Sequence, residues 1–312
     1  MTKNNPQKIE DLLGDTLPEY SEKEKIGYVA IIGLGIMGRG ICQTIAAAGI
    51  DVLGVELNQH IAQESMTIIK SNLDREIQRW AITKSERQSI LSRLRITDEI
   101  EQVTECDIVI EAIDEDFKAK EALFKKLDEI CSDNTIFISN TSTLNLTKLA
   151  EKTGRADRII GMHFLQPVPK VPLVEIVRAL KTSDETFDTV KQFAEQLGKT
   201  VVEVYEYPGF VTTRVIVPML NEAMHVLMEG IASAEGIDTA MRFGYNQPMG
   251  PLELSDTIGL DEVHTWMETL FHELGDLKYR PCPILKKLVR EGKLGKKSSE
   301  GFFKYNEFGQ KI

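Results

Sequence analysis

The sequence predicts an α/β protein in which a doubly wound parallel sheet precedes an all-helical domain. Short runs rich in Val and Ile alternate with segments of helical period as far as residue 205, and a glycine-rich turn follows the first run. Beyond residue 208 the apolar residues recur at spacings of three and four instead. Strands that alternate with helices are typical of a parallel sheet covered by helices on both faces.

The predicted strands are short apolar runs that suit burial on both faces of a sheet. They are YVAIIG (28–33), DVLGVE (51–56), CDIVIEA (106–112), TIFIS (135–139), RIIGM (158–162), LVEIVR (173–178) and KTVVEVY (199–205). The segments with helical spacing between them lie at 37–48, 58–92, 117–131 and 184–197. Each is placed to cross from one strand to the next.

The length of 312 residues predicts two domains, because single hydrophobic cores stop growing near ~250–300 residues. We expect a polar extension over 1–25, the sheet domain over 26–207 and the helical domain over 208–312. The second boundary falls where KTVVEVY gives way to PGFVTTRVIVPMLNEAMHVLMEG, whose apolar spacing is helical.

Charge and composition narrow the classes of function. The net charge of −11 argues against a nucleic-acid partner, because binding a phosphate backbone needs a surplus of Lys and Arg on one face. No apolar run approaches the ~20 residues of a membrane span, and the first residues lack the apolar stretch of a signal peptide, so we expect a cytoplasmic protein. The four cysteines are scattered without a CxxC pair, which favours buried, reduced thiols over a metal or redox site.

A dinucleotide-binding motif follows the first predicted strand. Gly33, Gly35 and Gly38 form GxGxxG between that strand and a helical segment. In this context the first glycine permits a tight turn, the second lets the backbone approach a pyrophosphate, and the third packs the helix against the strand. The phosphates then lie at the helix N-terminus, toward which backbone N–H groups point. The motif indicates a Rossmann-type domain.

Glu56 identifies the expected cofactor. It ends the next predicted strand, where a carboxylate accepts hydrogen bonds from ribose hydroxyl groups. A 2′-phosphate would be repelled there, and Leu57 and Asn58 offer no arginine to receive one. The sequence therefore predicts NAD rather than NADP. The alternative is that the glycines serve only a turn and the glutamate only ends a strand.

These motifs belong to a longer series through which the chain resembles the L-3-hydroxyacyl-CoA dehydrogenase family, including its 3-hydroxybutyryl-CoA members. The likeness runs from about residue 27 to 307. Besides the glycine motif it is carried by EAIDEDFKAKEALFKKLD, SNTSTLNLTKLA, GMHFLQPVP with PLVEIV, PGFVTTR, NQPMGPLELSDTIGLD and GKLGKKSSEGFFKYN. The resemblance implies an NAD-binding Rossmann domain and a helical domain that pairs two subunits in a homodimer.

The resemblance also implies the roles of several residues. Glu115 and Lys120 fall where the family contacts the nicotinamide dinucleotide, and Ser142 falls where a serine touches the substrate hydroxyl near the nicotinamide. His163 matches the catalytic histidine and Glu175 its carboxylate partner. The chemistry agrees, because a neutral imidazole can take the hydroxyl proton while a carboxylate fixes its tautomer. This reaction needs no metal, and we expect none.

Two positions depart from the family pattern. The family typically reads HFFNP at the histidine motif and PGFxxNR at the start of the helical domain, whereas this chain has Gln166 and Thr213 in place of the two asparagines. Gln keeps the amide but moves it by a methylene, and Thr keeps only a hydroxyl. Both replacements fall in the family's substrate and nicotinamide region, so the resemblance places Gln166 and Thr213 in the site.

The expected activity is NAD-dependent interconversion of short-chain (3S)-3-hydroxyacyl-CoA and 3-oxoacyl-CoA. Asn72 and Arg79 occupy approximately the positions at which the family contacts coenzyme A, with a solvated helix face as the alternative for both. Two other hypotheses remain open. The substrate is a 3-hydroxy acid without CoA, such as a sugar acid or a carnitine-like compound, or the chain binds a dinucleotide or acyl thioester without turnover.

Overall fold

The computed structural model describes residues 26–142 and 144–312, so the predicted extension over 1–25 lies outside the described residues. Eight strands form a single sheet in the order β3-β2-β1-β4-β5-β6-β7-β8. The strands are β1 (Tyr28–Ile32), β2 (Asp51–Val55), β3 (Leu94–Thr97), β4 (Ile108–Glu111), β5 (Ile136–Ser139), β6 (Ile159–Phe164), β7 (Leu173–Arg178) and β8 (Thr200–Tyr205). The order reverses beside β1, which is where ligands bind in sheets of this kind.

Helices cover both faces of the sheet and form all of the chain's regular structure after β8 apart from isolated bridges. Those of the sheet domain are α1 (Ile36–Ala47), α2 (Gln59–Gln78), α3 (Lys84–Ser92), α4 (Phe117–Ile130), α5 (Leu146–Ala150) and α6 (Asp184–Gln196). Those that follow are α7 (Thr212–Met228), α8 (Ala234–Gly244), α9 (Pro251–Ile258), α10 (Leu260–Leu274) and α11 (Pro283–Arg290). Within the described ranges, no helix is long and apolar enough to cross a membrane.

Alternation along the strands gives the sheet a core on each face, because successive side chains of a strand point to opposite sides. In β1, Val29 and Ile31 pack with side chains of α1, α2 and α6, whereas Ala30 and Ile32 pack with those of α4. A separate core joins α7 to α11. The sheet and the helical region therefore have separate hydrophobic cores.

The sheet departs from the predicted parallel arrangement at one pair of strands. β7 runs antiparallel to β6, and β8 then runs parallel to β7. The connection between β6 and β7 covers only residues 165–172, which is too short for the dozen or more residues of a parallel crossover. The antiparallel register places His163 directly opposite Glu175.

The predicted helical stretch over 58–92 is interrupted, and a strand follows it that the sequence analysis did not identify. α2 ends at Gln78 and α3 begins at Lys84. Thr83 starts the second helix with a reciprocal capping box, in which its side chain accepts from the backbone N–H of Glu86 and the Glu86 carboxylate accepts from the backbone of Thr83. The strand β3 reads LRIT and has only two apolar residues, so its sequence does not stand out from the amphipathic helix before it.

Candidate active site

The glycine loop after β1 has the geometry that a dinucleotide requires. Gly33 has a φ of +89°, and a Cβ on Gly38 would lie 1.9 Å from the carbonyl oxygen of Gly33, so no larger residue fits there without displacing the loop. A Cβ on Gly35 would meet nothing within 4 Å. The backbone at Gly35 therefore faces open space at the start of α1, which has no side-chain cap. Its free N–H groups suit a pyrophosphate.

Glu56 lies beside this loop at the end of β2. Its carboxylate accepts hydrogen bonds from the backbone N–H of Leu34 at 2.6 Å and of Leu57 at 3.1 Å. The side chain is half-buried, and it holds the loop while presenting negative charge next to it. This arrangement fits the predicted contact with a ribose and disfavours a 2′-phosphate.

Lys120 is buried in an ionic network where β4 and β5 end. Its ammonium lies 2.9 Å from Glu111 and 2.8 Å from Glu115, and its side chain is 1% exposed. Burial disfavours the charged amine, but the two carboxylates outweigh that effect and raise the pKa of Lys120. The network continues to Ser142, whose backbone N–H donates to Glu115 at 3.0 Å. Lys120 thus positions the segment that carries Ser142.

Ser142, His163 and Glu175 lie in a line across the end of the sheet. The Ser142 hydroxyl is 3.3 Å from Nε2 of His163, and Nδ1 of His163 is 2.7 Å from Oε2 of Glu175. His163 is 3% exposed and Glu175 is fully buried. His163 on β6 and Glu175 on β7 are cross-strand neighbours, so their side chains share one face of the sheet.

Glu175 is held from its other side by the start of α7. Its Oε1 accepts from the backbone N–H groups of Val211 and Thr212, at 3.0 and 2.8 Å, and the Thr212 hydroxyl donates to Oε2 at 2.8 Å. Burial disfavours the charge on Glu175, but the hydrogen bonds from His163 and Thr212 outweigh it and lower the pKa of the carboxyl. Sequence reasoning missed Thr212, although a threonine at a helix start is a recognisable signal for contact with a nearby acceptor.

The ionised carboxylate determines which nitrogen of His163 carries the proton. A carboxylate only accepts hydrogen bonds, so Nδ1 donates to Glu175 and Nε2 of the neutral ring is left as an acceptor toward Ser142. The ring of Phe210 lies 5.6 Å from the imidazole and is itself buried. Phe210 therefore encloses the His163–Glu175 pair on the side of the helical region, whereas Nε2 of His163 faces Ser142.

The two positions that depart from the family pattern occupy different surroundings. Gln166 is exposed and lines a cleft of about 1020 Å³. Thr213 is buried in the first turn of α7, next to the threonine that contacts Glu175. Gln166 is thus exposed to an incoming ligand, whereas Thr213 is buried and follows Thr212, the residue that contacts the carboxylate of Glu175.

The same cleft brings together the residues expected to contact coenzyme A. Asn72 and Arg79 of the α2 region line one wall, and Gln166 lines another. Its charged lining residues are Arg75, Glu76, Arg79, Lys170 and Lys199. Lys199 is buried and donates to backbone carbonyls, so three other cations and one carboxylate remain in a chain of net charge −11. Such an excess favours an anionic ligand.

The thiols and possible metal ligands have ordinary surroundings. All four cysteines are free and buried, as expected from their spacing. In residues 26–142 and 144–312, no group of three or more His, Cys, Asp or Glu side chains is arranged to hold a metal ion.

Comparison with protein families matches both parts of the chain. Residues 28–207 match the NAD binding domain of 3-hydroxyacyl-CoA dehydrogenase, and residues 209–305 match its C-terminal domain. Among curated proteins, the probable 3-hydroxybutyryl-CoA dehydrogenase of Bacillus subtilis is 47% identical over 91% of this chain and 99% of its own length. The mitochondrial hydroxyacyl-coenzyme A dehydrogenase of Homo sapiens is 40% identical over 93% of this chain and 95% of its own.

A solved structure agrees with these matches. The crystal structure of (S)-3-hydroxybutyryl-CoA dehydrogenase from Ralstonia eutropha superimposes with a TM-score of 0.84 at 43% identity, and the similarity covers 91% of this chain and 100% of that one. The likeness therefore extends over both the sheet domain and the helical region.

Proposed function

Since the chain belongs to the 3-hydroxyacyl-CoA dehydrogenase family, we propose that it interconverts short-chain (3S)-3-hydroxyacyl-CoA and 3-oxoacyl-CoA. It is an NAD-dependent dehydrogenase. The stereochemistry is proposed because the Ralstonia relative is named for the S substrate, and the short chain because several relatives are named for 3-hydroxybutyryl-CoA. We further propose that residues 26–207 bind NAD and that residues 208–312 complete the substrate site.

The observation that carries this proposal is the alignment of Ser142, His163 and Glu175. A secondary alcohol placed against Ser142 would meet Nε2 of His163, which is an acceptor because Nδ1 donates to Glu175. Glu175 then stabilises the imidazolium that forms when His163 takes the proton, as carboxylate partners do in acid–base pairs. In the reducing direction the same nitrogen returns the proton to the carbonyl oxygen.

The bound NAD supplies the hydride acceptor in the oxidising direction. The protein's own contribution is to orient the carbinol and to handle its proton. Ser142 positions the hydroxyl, and Glu115, paired with the buried Lys120, fixes the segment on which Ser142 lies. Phe210 covers the imidazole of His163, which limits the access of water to the proton being transferred.

The cleft beside Gln166 supports a thioester substrate that carries coenzyme A. The cations of Arg75, Arg79 and Lys170 suit the phosphate groups of CoA, and Arg79 is able to pair with a phosphate through two N–H groups. Gln166 follows His163 by three positions, so part of the cleft is formed by the segment that continues from β6. A small free 3-hydroxy acid would leave most of these cations without a ligand charge.

We also propose that the protein is a homodimer joined through the helical domain. The helical region exposes large apolar side chains, of which Phe243 is 80% and Tyr245 77% exposed. Groups of exposed aromatic side chains favour contact with another protein surface. Sedimentation of the purified protein at micromolar concentration would test this, and a monomer would contradict it.

The function is tested by following NADH consumption with acetoacetyl-CoA, with longer 3-oxoacyl-CoA thioesters, and with free 3-oxo acids. We expect turnover of acetoacetyl-CoA with NADH and much slower turnover with NADPH, because Glu56 repels a 2′-phosphate. Preference for a free 3-oxo acid would overturn the CoA substrate and keep the dehydrogenase chemistry. Binding of NAD by calorimetry without turnover of either class would overturn the catalytic assignment.

A further inference from the structure

Trp80 occupies a backbone position at which glycine is the favoured residue. The N–H of Trp80 donates to the carbonyl of Ile77, and the N–H of Ala81 donates to that of Glu76, which together form a Schellman motif at the end of α2. Trp80 has a φ of +59°, in the left-handed region that crowds any side chain. A bulky aromatic residue is thus held in a conformation that disfavours it.

The indole of Trp80 gains no compensating burial against the residues at 26–142 and 144–312. Trp80 is 94% exposed, the largest exposed fraction among the large apolar residues that the structure describes. Aromatic side chains normally stabilise a protein by burying their area, so this ring contributes little to folding. A strained, exposed aromatic residue at a fixed position is the kind of feature that is retained for binding.

The surroundings of Trp80 indicate what it binds. Its neighbours Arg79 and Ala81 both line the cationic cleft, and Arg75 lies one turn further back on α2. The opposite wall carries Lys170, whose ammonium is 3.2 Å from Glu76 of α2 and so joins the two walls. Trp80 therefore lies between two residues that line a positively charged cleft, which Gln166 also lines.

We propose that Trp80 is the stacking platform for the adenine ring of the CoA substrate. The proposal rests on the proposed function and adds a specificity-determining residue to it. The nucleotide end of CoA combines phosphate groups with a planar base, and the cleft offers arginines beside an exposed indole. Arginines pair with phosphate oxygens, and an aromatic face stacks on a purine whatever its substituents.

The kinetic test uses Trp80→Gly, because glycine adopts the same backbone conformation without strain. We expect the KM for acetoacetyl-CoA to rise about tenfold, in line with the loss of one base–aromatic stack, while kcat is unchanged. The N-acetylcysteamine thioester of acetoacetate, which lacks the nucleotide, should show no change in KM. Trp80→Phe should restore most of the affinity, and Phe308→Ala, which removes another exposed ring, should leave both substrates unaffected.

A binding measurement separates this proposal from the proposed function. The chain has two tryptophans, and Trp266 is half-buried in α10, so quenching of the exposed indole by free CoA reports on Trp80. We expect quenching by CoA that is absent in Trp80→Phe and absent with pantetheine. If the wild type turns over neither thioester but still shows this quenching, the reaction is wrong and the platform stands.

Three results would overturn the platform. An unchanged KM for acetoacetyl-CoA in Trp80→Gly would show that the ring is not used. A lower melting temperature for Trp80→Gly than for the wild type would show that the ring has a structural role instead. Loss of a dimer in Trp80→Gly with an unchanged KM would assign the indole to contact with a second copy of the chain.

Discussion

The hydroxyl of Ser142 lies 3.3 Å from Nε2 of His163, on the opposite side of the imidazole from Glu175. The distance is long for a strong hydrogen bond, which is usual between catalytic groups before substrate binds. A carbinol hydroxyl inserted here would contact both side chains. In the proposed mechanism, the reacting oxygen lies at this contact.

Removing the imidazole tests the acid–base assignment directly. We expect His163→Ala to lower kcat with acetoacetyl-CoA by roughly 10²–10⁴-fold, because a positioned acid–base group contributes about that much. NAD affinity should be unchanged, since the glycine loop lies on other elements. His225→Ala removes a histidine from α7 and serves as the control. Normal turnover by His163→Ala would contradict the assignment.

The lowered pKa of Glu175 predicts a dependence of stability on pH. Its folded pKa is below the ordinary value of about 4.3, so its contribution is fully present above that pH and is lost as the pH falls through the folded value. Urea unfolding between pH 3 and pH 7 should therefore show a steeper acid loss in the wild type than in Glu175→Gln. Parallel curves for the two proteins would contradict this expectation.

The buried network around Lys120 predicts a large and partly recoverable loss of stability. Lys120→Met removes the cation that contacts Glu111 and Glu115, and we expect the free energy of unfolding to fall by about 3–5 kcal/mol, as for other broken buried ion pairs. Lys120→Met with Glu111→Gln should recover part of the loss, because a neutral amide replaces one buried carboxylate. Urea titration of both variants measures it, and a single-variant loss below about 1 kcal/mol would refute the network's role.

Gln166 predicts a change in substrate preference without a change in cofactor binding. Gln166→Asn withdraws the amide from the cleft by one methylene, and displacements of about an ångström can alter rates by up to ~10²-fold. We expect kcat/KM for acetoacetyl-CoA to fall and NAD affinity to remain constant. Thr213→Asn provides the comparison at the buried position that departs from the family pattern. There we expect the free energy of unfolding to fall as well. A rise in kcat/KM with Gln166→Asn would mean that the glutamine reduces activity on this substrate.

The strands on which the site depends were predictable because their apolar runs are short and rich in Val and Ile. The glycine loop was predictable for a different reason, since only glycine satisfies the φ at Gly33 and the packing at Gly38. The direction of β7 was not, because an apolar run carries no sign of whether its neighbour runs parallel or antiparallel. Its direction follows from the shortness of the connection over 165–172.

Site residues were predictable where the family pattern names them. Residues that hold them through contacts between distant parts of the sequence were not predictable. His163 and Glu175 were both identified, and the structure brings them to 2.7 Å. Thr212 was not identified, because the family pattern points to Thr213 and only the folded start of α7 shows that Thr212 contacts the carboxylate. The burial of Lys120 between two carboxylates was likewise invisible in a helix with many lysines.

His163 on β6 lies opposite Glu175 on β7, so their contact depends on the number of residues between them. A shift of one residue in this pairing would turn Glu175 to the other face of the sheet, since side chains alternate along a strand. An insertion within 165–172 that slipped the register would then separate Glu175 from the imidazole of His163, although the sequence would still contain both residues. Among natural variants of this chain, an unbroken count from 163 to 175 is therefore a better sign of activity than the presence of the two side chains alone.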